Sequence, residues 1–406
     1  MGGNVTAMMK DGTATRAEKI PVAKIGRSKF MAVMQVFFKE LNKQFKKATG
    51  KVIWANESDI LSGFVFNGST SFIMDPTISD EEIVKVKQSA GDLDITVPEE
   101  LKEDVWNFLD QLEGREIIPG IRYMGSNKPT LKSVGEQINA VFVVNFGDVR
   151  CNCQVDFEFL PYENDRPSEW AKFSHGSSFV DAKANIKAVH HKYLIRAMIG
   201  GASLRDDIVI CTNTSTPDKI KLSNSKEHIN PRMLKFSVSK GIRVAYEPML
   251  DGDNNQVYLD GKAVYKAIPT SRSDFITSVS GVFKVAFDDP SPADINRFSS
   301  FVGVVDLMKK YLTKEQINQT MDRYVDLLWS STPRAQELEV DNPQLDFEVK
   351  NSGYQYIIKQ LKLKDNATKM IDAYYSDYGH RKSKVAESFI KWLEDRECFL
   401  LPGEEL

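Results

Sequence analysis

Cysteine is scarce, with four in 406 residues: Cys151, Cys153, Cys211 and Cys398. So few exclude a disulfide framework in a chain of this length and point to a reducing compartment. A second Cys/His pair at zinc spacing is missing too, so Cys151 and Cys153 read as small residues on the buried face of a strand. Long apolar runs are absent. None reaches bilayer-spanning length, and the opening "MGGNVTAMMKDGTATRAEK" has no apolar centre of the signal-peptide kind. The formal match of Gly2 and Thr6 to an N-myristoylation pattern is too short to build on. Neither sign of charge is in excess: 53 Lys and Arg against 56 Asp and Glu leave −3. That balance gives no global attraction for nucleic acid, so any such contact needs a local basic patch. The expectation is a cytoplasmic protein without a membrane partner. Its composition, 42% hydrophobic and 27% charged, is that of a globular chain long enough for two domains.

Along the chain, residues 1–24 read as a flexible leader. Residues 25–203 read as one domain, and 204–406 as a β-hairpin segment followed by a helical domain, the break falling at "GGASLRDD". Ser28 is expected to cap a helix that Gly50 ends, with Phe30, Val33, Met34, Phe37, Phe38 and Leu41 at helical spacing. "GFVFNGSTSFIM" reads as a strand entering a Gly-Ser turn, and "EELKEDVWNFLDQLEG" as a helix. "GIRYMGSNKP" reads as a turn-rich connection. "QINAVFVVNF" and "VRCNCQVDFEFLP" read as paired strands. One helix is expected over about 182–200. Residues 205–290 read mostly as strands and turns, including a hairpin at Asp260-Gly261. From about 292 the pattern is helical, with a capping pair at Thr313 and Gln316 and further helices toward the C-terminus. The fold class is α+β.

The chemistry gathers around "SAGDLDITVPEE". In a strand, side chains alternate faces, so Leu93, Ile95 and Val97 point one way and Asp92, Asp94 and Thr96 the other. Two like charges on one face repel and raise each other's pKa, a cost that a bound cation removes. In 149–159, Val149, Cys151, Cys153, Val155, Phe157 and Phe159 share one face. Arg150, Asn152, Gln154, Asp156 and Glu158 share the other. Asp156 thus stands opposite an apolar face as a third carboxylate. Three such groups make a ring of oxygens suited to Mg²⁺ or Mn²⁺. The Gly68-Ser69 turn offers backbone N–H groups and a hydroxyl suited to phosphates. Two competing patterns fail. "DGDNNQ" has Gln256 where a calcium loop needs Gly, and the Gly-Ser of "MGSNKP" follows the aspartates instead of preceding them.

The order "NGSTSF", "GDLDI", "QVDFEF" resembles the polymerase-β-type nucleotidyltransferase superfamily over about residues 55–200. It is most similar to the nucleotidyltransferase-like proteins of large bacteriophages. The resemblance implies a mixed-sheet nucleotidyltransferase core with helices packed on it. It also implies transfer of an NMP from an NTP to an acceptor hydroxyl, releasing pyrophosphate. The acceptor is an RNA 3′ end, another nucleotide or a protein. On this reading Asp92 and Asp94 hold two Mg²⁺ ions, Asp156 completes the one beside the attacking hydroxyl, and Gly68 and Ser69 hold the β- and γ-phosphates. Two features depart from or extend the pattern. "DPTISDEEIVKVKQSA" lengthens the path from Ser69 to Asp92, and its Lys87 is a candidate phosphate ligand. On the helix after the third strand, Lys183 and Lys187 project onto an arc defined by Ile186, Val189, Tyr193, Leu194, Ala197 and Met198, with His191 at its edge. All three are candidates for the triphosphate, and "KFSHGSS" for a substrate loop. Two alternatives stand beside the enzyme: a non-catalytic nucleotide-binding or structural protein on the same scaffold, and an α+β protein whose D-x-D is a surface pair.

Overall fold

The clearest period-two alternation in the sequence becomes the longest strand, Arg150–Leu160. The computed structural model describes residues 5–127, 137–186, 188–200, 208–211, 234–269, 274–287, 290–330 and 356–357. The chain divides into two compact units, Met1–Lys183 and Ala184–Leu406. The division precedes the helix that the sequence assigns to the first domain.

In the first unit the elements are β1 (Thr6–Met8), β2 (Ala14–Arg16), α1 (Val22–Ile25), α2 (Arg27–Thr49), α3 (Glu57–Leu61), α4 (Gly68–Ile73), α5 (Asp80–Val86) and β3 (Leu93–Pro98). They continue with α6 (Lys102–Leu112), β4 (Glu116–Ile118), β5 (Ile121–Asn127), β6 (Ile138–Asn145), β7 (Arg150–Leu160), β8 (Tyr162–Glu163), β9 (Arg166–Pro167), α7 (Glu169–His175) and α8 (Phe179–Lys183). Seven strands form one sheet in the order β2-β1-β5-β6-β7-β3, with β4 on β5. β3 runs parallel to β7 and β6 antiparallel to it, so the sheet is mixed and the unit is α+β.

One face of this sheet is apolar. Leu93, Ile95, Val97, Cys153, Val155, Phe157 and Phe142 join Phe30, Met34, Phe37 and Phe38 of α2 and Val105, Phe108 and Leu109 of α6 in one core. Rings from helix and sheet interlock there: Phe37 meets Phe142 edge-on at 5.0 Å, and Phe38 meets Phe66 at 5.3 Å. Cys151 and Cys153 are buried free thiols in this face, as their alternation requires. The opposite face is polar along β3 and β7, and there it carries the site.

Several elements differ from expectation. Residues 5–24 are no flexible leader: β1 and β2 extend the sheet, Ala7 and Ala17 pack on Val141, and Ile20 pairs with Ala90. Their small, polar composition hides that packing. α2 starts at Arg27 without a Ser28 cap, because the Ser28 hydroxyl donates to Asp80 instead. Residues 63–67 make only an isolated bridge, Phe66 to Ile95, and the Gly-Ser turn opens the short helix α4. "GIRYMGSN" is a strand, its turn-like glycine absorbed in an irregular register between Tyr123 and Ser126. Part of the lengthened path to Asp92, Asp80–Val86, is helical and is capped by Ser79.

The second unit contains α9 (Ala188–Gly200), β10 (Ile208–Cys211), β11 (Leu234–Ser237), β12 (Gly241–Val244), β13 (Tyr246–Pro248), β14 (Tyr258–Leu259), β15 (Lys262–Ala267), α10 (Val279–Phe287), α11 (Phe301–Tyr311) and α12 (Lys314–Ser330). α9 is separate from α8, where one continuous helix was expected. The hairpin at Asp260-Gly261 is present, both residues taking the positive φ that a tight turn demands. "DGDNNQ" is a turn closed by Asp251 N–H donating to the Asn255 carbonyl. Thr313 and Gln316 cap α12 reciprocally at 2.9 and 3.2 Å. α10 occupies sequence read as strand and turn. The helices expected beyond residue 360 lie outside the described residues. Among the described residues no helix is long and apolar enough to cross a membrane.

One buried cation locks the lengthened segment in place. Arg27 donates to the carbonyls of Ile73 (2.7 Å) and Ile78 (2.8 Å) and to the Asp80 carboxylate (2.8 Å), and its other amino group reaches the Asp75 carbonyl. Arg27→Met leaves the Ile73 carbonyl without its buried donor and removes the donor shared by the part-exposed Ile78, Asp75 and Asp80 acceptors. The expected loss is about 2 kcal/mol of unfolding free energy by urea titration. A loss under about 0.5 kcal/mol, usual for a surface substitution, would refute the locking role.

Candidate metal and phosphate site

Asp94 and Asp156 are direct partners across the parallel β3–β7 pair, so both carboxylates leave the same face of the same rung. Asp92 lies just before β3 and two residues from Asp94. One oxygen from each of the three lies within 4.8 Å of the others. Asp92 and Asp156 are buried, and Asp94 is half-buried. Burial is the main reason that all three hold protons more tightly than an ordinary carboxyl. Asp156 is raised to about 6, with Asp92 and Glu158 adding repulsion. Asp94 is raised well above the usual range, with repulsion from Glu158, Asp92 and Asp156. Asp92 is raised as well, though the Lys87 ammonium opposes the shift. The donors are all carboxylate oxygens, a set that fits hard Mg²⁺ or Mn²⁺ and not a thiolate-seeking metal.

Asp156 is held by two amides. Asn139 Nδ2 (2.7 Å) and Gln154 Nε2 (2.9 Å) both donate to Oδ1. Gln154 is anchored in turn by the Val5 backbone N–H at 3.1 Å, so the N-terminal segment supports the third carboxylate.

The Gly-Ser turn lies against the aspartates despite the long path between them. Asn67 N–H donates to the Asp94 carbonyl at 2.9 Å, and Asp94 N–H donates to Thr70 Oγ1 at 3.1 Å. Gly68 has a φ of 51°, and a Cβ built there would sit 1.9 Å from Asp94 Oδ2. Only glycine permits that approach. Lys87 Nζ donates to Ser69 Oγ at 2.5 Å, so α5 returns a lysine to the turn it separates from β3.

The remaining sequence candidates differ in their contacts. Lys183 ends α8, pairs with Glu82 at 3.0 Å and lies 4.5 Å over the Phe179 ring. His191 is buried in the second unit, its Nε2 2.8 Å from the Phe298 carbonyl oxygen. Burial depresses its pKa to about 4, so the ring is neutral. Lys187 lies outside the described residues. "KFSHGSS" is no plain loop: its first four residues end α7, and Gly176 bridges to Gly68.

The sequence reading missed Asn67 and Asn139, and it named Lys172 and His175 only as part of the "KFSHGSS" segment, with no role for either. It placed Gln154 and Glu158 on the site face without assigning them the contacts seen here. Glu158 accepts from Asn67 Nδ2 (2.6 Å) and Gln137 Nε2 (2.7 Å), with His175 Nδ1 3.7 Å away. His175 Nε2 is buried with no hydrogen-bond partner among the described residues. Only alternation signalled any of this. Gln154 and Glu158 flank Asp156 on one face, whereas the amides and the lysine arrive from distant segments.

Comparisons with family models, curated proteins and solved structures find no match. The geometry by itself defines a mixed α+β protein with a buried aspartate triad able to hold a metal ion.

The raised carboxyls set a sign for pH dependence. Folding keeps a proton on Asp156 up to about pH 6, whereas an aspartate at its ordinary value of 3.8 releases it earlier. Without metal, this group therefore costs stability progressively as pH rises from about 4 to about 6, and fully above that. The gap of about two pH units corresponds to about 3 kcal/mol. Asp156→Asn should stabilise the metal-free protein by about 2–3 kcal/mol at pH 7.5 and by almost nothing at pH 4. Denaturant titration at the two pH values measures this. An equal effect at both would show that the carboxylate charge is not the cause.

Proposed function

We propose that the protein is a metal-dependent nucleotidyltransferase, its first unit a polymerase-β-type core, transferring an NMP from an NTP to an acceptor hydroxyl. The observation that carries this reading is the Asp94–Asp156 rung, with Asp92 beside it and the Gly68 turn against Asp94. These parts occur in the chain order of the superfamily pattern.

Mg²⁺ or Mn²⁺ at the triad would supply positive charge to screen the triphosphate and acidify the acceptor hydroxyl. Asp92 and Asp94 would hold the cations. Asp156 completes the set on the acceptor side and helps take up the hydroxyl proton, its Oδ1 fixed by Asn139 and Gln154. Gly68 and Ser69 receive the β- and γ-phosphates, and Lys87 brings its ammonium to the same turn. The acceptor oxygen bonds to the α-phosphorus, the bond from that phosphorus to the pyrophosphate oxygen breaks, and pyrophosphate leaves with the electron pair. RNA 3′ ends, nucleotides and protein hydroxyls are all acceptors of the right chemistry. Lys183 and His191 have no part in this scheme, given their contacts with Glu82 and the Phe298 carbonyl.

The test is incubation with each α-labelled NTP, Mg²⁺ or Mn²⁺, and RNA, nucleotides or protein, following label and pyrophosphate. Asp92→Asn and Asp94→Asn should abolish divalent-dependent NTP binding while leaving the metal-free protein folded. Asp156→Ala should keep NTP affinity within a few fold and cut turnover by about a hundredfold or more, the mark of an interaction used mainly in the transition state. Metal and NTP binding without pyrophosphate from any acceptor would instead establish a binding scaffold. Full turnover in Asp156→Ala would remove that residue from the site.

A further inference from the structure

Four carboxylates cluster on the polar face, and the metal reading uses three. Glu158 is the fourth. It is buried, two residues beyond Asp156 on the same side of β7, and its charge bears on Asp92, Asp94 and Asp156. An unused buried carboxylate is costly, so its surroundings need an explanation.

Those surroundings lead to one residue, Asn67. Its Nδ2 donates to Glu158 Oε2 at 2.6 Å, and its Oδ1 accepts from Lys172 Nζ at 3.2 Å. Its backbone N–H donates to the Asp94 carbonyl at 2.9 Å. Asn67 is completely buried. It therefore joins β7, α7 and β3 at the position immediately before Gly68. Lys172 also donates to the Phe66 carbonyl, and Gly176 bridges to Gly68 from the end of α7. Gln137 Nε2 occupies the other oxygen of Glu158 at 2.7 Å. Both oxygens of Glu158 thus accept amide hydrogens, whereas at Asp156 both amides fall on Oδ1.

We infer that Glu158 is a positioning residue and not a fourth metal ligand. With Lys172 it clamps Asn67, and through Asn67 it sets the Gly68-Ser69 turn at its distance from the aspartates. The clamp acts on the phosphate-binding turn rather than on the cations. It needs a hydrogen-bond acceptor at position 158 and not a negative charge. This rests on the triphosphate reading of the Gly-Ser turn.

The experiment measures Mn²⁺ affinity by electron paramagnetic resonance, Mn²⁺-dependent affinity for each of the four common NTPs by calorimetry, and melting temperature. The variants are Asn67→Ala, Glu158→Leu and Glu158→Gln. Asn67→Ala and Glu158→Leu should weaken NTP binding about tenfold or more and leave Mn²⁺ affinity within about threefold. Glu158→Gln keeps an oxygen for Asn67 and should recover most of the NTP affinity lost in Glu158→Leu. Equal losses in the Gln and Leu variants would mean that the charge itself acts, and lost Mn²⁺ binding in both would make Glu158 a ligand. A lower melting temperature with unchanged NTP affinity would reduce the clamp to a structural contact. If Asn67→Ala or Glu158→Leu does not fold, the Gln variant decides alone, since wild-type-like NTP affinity is expected only where an acceptor suffices. A wild type that binds Mn²⁺ but no NTP would overturn the triphosphate reading and this inference with it. Failure confined to the variants overturns the inference alone.

Discussion

The parallel pairing of β3 with β7 is the constraint on which the rest of the first unit depends. Its register sets Asp94 opposite Asp156 and Thr96 opposite Glu158. A slip of one residue would turn one strand's aspartates into the apolar core formed with α2 and α6. The apolar residues between the aspartates prevent that slip. Leu93, Ile95, Val155 and Phe157 are all fully buried on the other face. Hydrophobic burial thus holds like charges together, and the proton affinities of Asp94 and Asp156 are raised first by loss of water around them and then by the neighbouring carboxylates.

Relief of the conflict is distributed. Asn139 and Gln154 donate to Asp156, Lys87 opposes the shift at Asp92, and Asn67 and Gln137 donate to Glu158. None of these donors removes the repulsion among the triad carboxylates themselves. A divalent cation does so directly, which is why the metal reading explains the arrangement better than a chance surface pair. A surface pair would not be buried.

The lengthened path between Ser69 and Asp92 shows how sequence distance misleads. α5 spends part of the extra chain as a helix, Arg27 ties its start to α2, and Lys87 at its end returns to Ser69. The Gly68 turn is held locally by hydrogen bonds to β3, so its place does not depend on the length of the excursion.

The sequence by itself determined the elements whose pattern is periodic and the face that each aspartate takes. Alternation in 149–159 assigned Asp156, Gln154 and Glu158 to the side away from Cys151, Cys153 and Phe157, since a strand leaves no third choice. The Asp260-Gly261 hairpin and the Thr313–Gln316 cap were equally legible, because turn and cap chemistry is local. Only the tertiary structure decided that Thr6–Met8 and Ala14–Arg16 join the sheet, that Lys183 pairs with Glu82, and that His191 is a neutral buried ring. It alone brought Asn67 and Gln137 to Glu158, and Lys172 to Asn67. These contacts join residues 21 to 105 positions apart, and no local periodicity encodes a hydrogen bond across that distance.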